Sequence, residues 1–170
     1  MKRVKVVGIG NFILQDEGVG VHAINLLSES NSLPPQVELI DGGTHSYDLV
    51  DWFCQADVII IVDALQGGGE PGTMYRAPLG DLSLRPQDHC TSLHQLHFIE
   101  AVHMVNMLGY YPEIIVYGVE PDVIDWGTEL TPKVAAQLPR LTQLIAEEVK
   151  TILHEEGISV NAGENIELQN

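Results

Sequence analysis

The chain is short of cysteine, of basic residues and of long apolar runs, and each shortage narrows what it does. Its two cysteines, Cys54 and Cys90, are far apart and form no CxxC pair. That argues against a disulfide framework and for a reducing cytoplasm. No stretch reaches the roughly 18 consecutive apolar residues that a membrane-spanning helix needs. Met1-Lys2-Arg3 leads straight into strand-like sequence, so no secretory signal core is expected. Eight Lys and Arg stand against 24 Asp and Glu, a formal net charge of −16. An acidic chain of this kind is a poor partner for nucleic acid or an anionic membrane surface, whereas metal cations and basic peptides suit it.

Three catalytic signatures are also missing. The run Gly8-Ile9-Gly10 follows an apolar strand as a dinucleotide loop would, but the third glycine of that fingerprint is replaced by Ile13. Asp16 and Glu17 come just after, where a pyrophosphate would meet repulsion. No HExxH pair occurs, which excludes a zincin-type protease on pattern, and no serine sits in a Gly-x-Ser-x-Gly elbow. The cysteines read as packing or loop residues rather than nucleophiles.

What is present is an alternation of strand and helix. The 170 residues suffice for one domain with a real core. The pattern predicts strands over 4–7, 37–40, 57–63, 73–77 and 114–119. It predicts helices over 17–27, 47–54, 93–108 and 132–153, with Pro132 in the first turn of the last. Residues 79–92 read as loop. The domain is expected to span 1–156, and the segment 157–170, which lacks amphipathic period, to be a mobile tail. Strand 57–63 is apolar on both faces and so belongs at the centre of a covered sheet. The expected architecture is a three-layer α/β sandwich: a twisted, mostly parallel sheet of about five strands with helices on both faces.

Ligands of open parallel sheets bind at the carboxyl ends of the strands. Asp16 and Glu17 follow the first strand, Asp63 ends the most buried one, and His94 begins the long helix. Ser92 with Gln95 fits a capping box, which puts His94 in the first helical turn. Positive potential there favours the neutral imidazole that can ligate a metal. Each residue has an ordinary alternative: Asp16 and Glu17 as cap acids, Asp63 as a turn cap, His94 as a surface histidine. Together, two carboxylates and an imidazole from three connections form an O,O,N set suited to zinc, nickel or iron. His97 lies about 60° from His94 around the helix, close enough to reach the same site, yet it also reads as a buried core residue. His103 faces away.

Five segments in order, "GIGNFILQDEGVG", "DGGTHSYDL", "VIIIVDAL", "SLHQLHFIEAV" and "YGVEPDVIDWGTELTPKV", resemble those of the nickel–iron hydrogenase maturation endopeptidases. The likeness spans roughly residues 3–150. It implies a cytoplasmic hydrolase that removes a C-terminal peptide from the precursor of the hydrogenase large subunit after nickel insertion. It also implies that Glu17, Asp63 and His94 are the metal-contacting and catalytic residues, with Asp16 a further candidate. Nickel would arrive in the substrate precursor, and other divalent metals could occupy the same site. His45 receives no role from it. Two rivals are a non-catalytic nickel-binding maturation chaperone using the same three ligands and a nucleotide-dependent oxidoreductase using Gly8 and Gly10. The hydrogenase served and the oligomeric state are left open.

Overall fold

A computed structural model describes the backbone of residues 1–44, 48–79 and 93–164, and side chains outside 93–97 and 155–164 within that range. Five strands form one sheet: β1 (Val4–Ile9), β2 (Glu38–Gly43), β3 (Val58–Ala64), β4 (Met74–Pro78) and β5 (Glu113–Val119). Their order is β2-β1-β3-β5-β4, with every neighbour parallel except β4, which runs antiparallel to β5. The helices are α1 (Val19–Ser30), α2 (Leu49–Cys54), α3 (Leu93–Met107), α4 (Pro132–Ala135) and α5 (Leu138–Glu164).

The period-two geometry of a strand divides the core in two. Val4, Val6, Val58, Ile60, Val62, Ile115 and Tyr117 face α1 and α5, where Ala23, Leu27, Leu141, Ile145 and Val149 cover them. Val7, Ile9, Ile59, Ile61, Ile114 and Val116 face α2 and α3, against Leu49, Phe53, Phe98, Ala101 and Val105. Because β1, β3 and β5 are covered on both sides, their sequences are continuously apolar instead of alternating. The fold is the expected α/β sandwich. Half-buried Cys54 packs at the edge of the second cluster, as a core residue would.

Three elements differ from the sequence expectation. The helix expected from Glu17 starts at Val19, and residues Gln15–Gly18 form a single 3-10 turn before it. The last helix is two pieces, because Pro139 has no N–H to continue α4 and its ring would press on the carbonyl four residues back. α5 then runs to Glu164, beyond the expected end at Leu153; residues 165–170, the end of the expected tail, lie outside the described residues. Among the described residues, no helix is long and apolar enough to cross a membrane.

Candidate functional site

Chain direction reverses beside β1. From β1 the chain passes through α1 to β2 on one side, and from β2 through α2 to β3 on the other. The two crossovers therefore part above the carboxyl ends of β1 and β3, which opens a crevice between those strands. Asp63 sits there at the end of β3, and the connection from β1 to α1 runs alongside.

That connection is held close by glycine. A Cβ on Gly20 would collide with the carbonyl oxygens of Ile9 and Val62, so the start of α1 lies directly on the backbone of β1 and β3. Gly10 adopts φ 131°, and a Cβ there would collide with the Glu17 carbonyl while standing 3.4 Å from Asp63 Oδ1. Gly10 thus marks the point where the Glu17 turn and the Asp63 carboxylate converge. The glycines that resemble a phosphate loop serve instead to bring two acids together.

Desolvation, more than anything else, pushes the Asp63 carboxyl well above the usual carboxylate range. The Ala64 N–H, donated to Oδ1 at 2.8 Å, pulls it down, and the charge of Glu17 pushes it up again. A partly desolvated carboxylate beside a second one that repels it forms an environment that a cation relieves. Among the described residues no set of three or more His, Cys, Asp and Glu is arranged to hold a metal. The third member of the expected set lies outside that statement: the side chains of His94 and His97 are not among the described ones, nor is His45. The backbone does locate His94. α3 ends near the start of β5, at the amino edge of the sheet, so its first turn, with His94, lies at the carboxyl edge.

Asp16 departs from the group. It is 0% exposed and turned away from the crevice. Its Oδ2 accepts the N–H groups of Asp122 and Val123 at 2.9 and 3.0 Å and the Thr131 hydroxyl at 2.7 Å. Its Oδ1 accepts the Thr131 N–H at 2.8 Å. Burial, the largest influence, raises its pKa, but these hydrogen bonds outweigh it and the carboxyl ends below the usual range. The divergence from Glu17 follows from the 3-10 turn: at three residues per turn, adjacent side chains point about 120° apart. One acid enters the protein and the next faces the crevice.

Asp16 also reveals a loop that sequence reasoning left without a role, residues 120–131. Gln15 donates its N–H to Gly127 (2.9 Å), Gly127 to Ile13 (3.0 Å), and Asp16 to Val123 (3.3 Å). His22 Nε2 reaches the Thr128 carbonyl at 3.1 Å while its ring stacks on Phe12. At the loop's beginning, Glu120 Oε2 accepts the Gly67 N–H and the Tyr75 hydroxyl at 2.7 and 2.8 Å, bracing the connection from β3 to β4. The quoted segment "YGVEPDVIDWGTELTPKV" supplies one partner in each of these loop contacts; its pairing with residues 13–22, 67 and 75, all remote in sequence, was hidden.

The profile of the family described as hydrogenase maturation protease (HycI) matches residues 21–148, most of the chain. The chain belongs to that family. It is 35% identical over 167 residues to the hydrogenase expression/formation protein HupD of Rhodobacter capsulatus, covering 97% of this chain and 78% of that one. It is 32% identical to the hydrogenase 2 maturation protease of Escherichia coli K12, over 85% of this chain and 89% of the other. Among solved structures, the hydrogenase maturating endopeptidase HybD from E. coli superposes with a TM-score of 0.76 at 30% identity, over 91% of this chain and 94% of that chain. Membership makes this maturation protease a hydrolase of the endopeptidase type, and the dinucleotide-dependent rival falls away.

Proposed function

We propose that this maturation protease removes the C-terminal extension of the precursor of a nickel–iron hydrogenase large subunit after nickel has been inserted, in the cytoplasm. The observation that carries the reading is the convergence of Glu17 and Asp63 at the crevice between β1 and β3, with α3 directing its first turn to the same edge. In this reading Glu17, Asp63 and His94 receive the nickel that the precursor brings. Nickel is then part of the substrate, and metal-free precursor lacks the cation that offsets the repulsion between the two acids. Once the precursor is seated, a carboxylate of the crevice takes a proton from the water that attacks the scissile carbonyl and passes it to the departing amine as the peptide C–N bond breaks. In this reading Asp16, whose two oxygens accept hydrogen bonds from residues 122, 123 and 131, has a positioning role. The test is the mass of nickel-loaded precursor before and after incubation with the purified protein. Loss of a C-terminal peptide supports the proposal; tight binding without a change in mass would make the protein a nickel-binding chaperone instead.

A further inference from the structure

We infer that the loop 120–131, together with residues 12 and 13, is a docking surface for an apolar stretch of the precursor flanked by Lys or Arg; the inference rests on the function proposed above. Phe12, Ile13, Val123, Ile124 and Trp126 are all exposed, Trp126 at 76%. They lie on two loops joined by the reciprocal pairing of residues 13–15 with Gly127, so they form one surface. This surface continues directly from the crevice, since the turn that carries Glu17 is the same one that Asp16 ties to Val123 and Thr131.

Three features make it a recognition surface rather than an incidental exposure of apolar side chains. Large apolar groups presented to water beside a catalytic edge mark contact with a partner. The backbone beneath them is fixed by the four bonds to buried Asp16, so little ordering is left for binding to supply. Their surroundings are acidic: Asp122, Asp125 and Glu129 are exposed on the same loop, with Lys133 the nearby cation, 3.8 Å from Asp122. A segment that covers the apolar groups and carries a basic residue satisfies both parts of the surface. The metal alone cannot distinguish one nickel protein from another, whereas this surface reads the polypeptide.

A second group of exposed apolar residues, including Met107 and Tyr111, lies at the opposite edge of the sheet and supplies the control. The experiment compares wild type, Trp126→Ala, the double variant Asp125→Lys with Glu129→Lys, and Met107→Ser. Each is characterised by steady-state cleavage of nickel-loaded precursor, by calorimetric titration with that precursor, and by thermal melting. Docking predicts KM and Kd about tenfold higher for Trp126→Ala, with melting unchanged and turnover little affected. It predicts a smaller, salt-sensitive rise for the charge-reversed variant and wild-type values for Met107→Ser. Unchanged Kd in Trp126→Ala, or an equal loss in Met107→Ser, would overturn the docking surface while leaving the protease reading intact. Wild-type binding that Trp126→Ala weakens, without cleavage by either protein, would uphold the surface and remove the protease reading. Wild type that neither binds nor cleaves would overturn both.

Discussion

Asp16 and Glu17 are neighbours in the chain with opposite surroundings, and single substitutions separate them. Asp16→Ala leaves three N–H groups and a hydroxyl without their acceptor in a buried position, which lowers stability by about 2–4 kcal/mol, measured by urea unfolding. Glu17→Gln keeps the turn and removes one of two repelling charges, so stability changes by less than about 1 kcal/mol while cleavage of loaded precursor is abolished. A destabilised Glu17 variant beside an undisturbed Asp16 variant would reverse these roles. The sequence displayed both acids at the right place, yet nothing local to "QDEG" tells which one turns inward. That is settled by the main-chain donors of residues 122–131, more than a hundred positions away.

At the scale of elements, the site depends on how closely α1 sits on the sheet. Gly20→Ala forces a methyl group against two backbone carbonyls that cannot move aside, so it destabilises by about 1–3 kcal/mol or more. It also displaces the turn carrying Glu17, and the part that survives as folded protein should cleave more slowly. A Gly20→Ala protein with wild-type melting and wild-type rate would show that the close contact is dispensable. Among the described residues the main elements were legible because β1, β3 and β5 are continuously apolar, α1 and α5 are periodic, and α3 is a long apolar run. What escaped were breaks with causes finer than period: the 3-10 turn, held by pairing with Gly127 although Gln15 takes φ 47°, and the interruption at Pro139. The antiparallel sense of β4 follows from its short link to β3 through residues 65–73, a link too short for a crossover.

At the scale of the molecule, α5 is fastened to the sheet by a polar cluster with its own pH signature. Glu148 accepts Arg76 Nε and Nη2 at 2.6 and 2.9 Å and the Tyr117 hydroxyl at 2.7 Å. The Arg76 hydrogen bond, first among its causes, holds the Glu148 carboxyl below its ordinary 4.5, so its stabilisation is present above that value and is lost as pH falls through the lower folded one. Burial first, then Glu148, pushes Tyr117 from 10.0 up to about 12. Its neutral form is favoured on folding, so that contribution is complete below pH 10.0 and disappears as pH rises through about 12. Urea midpoints followed across pH should therefore decline more steeply between those two alkaline values in wild type than in Tyr117→Phe; parallel curves would remove Tyr117 from the account. If, as proposed, Glu17 and Asp63 receive a cation delivered by the substrate, the purified protein discriminates between nickel-loaded and metal-free forms of one precursor. Weighing the products should then show that the loaded form loses its C-terminal peptide and the metal-free form keeps it; equal cleavage of both would remove the cation from substrate recognition.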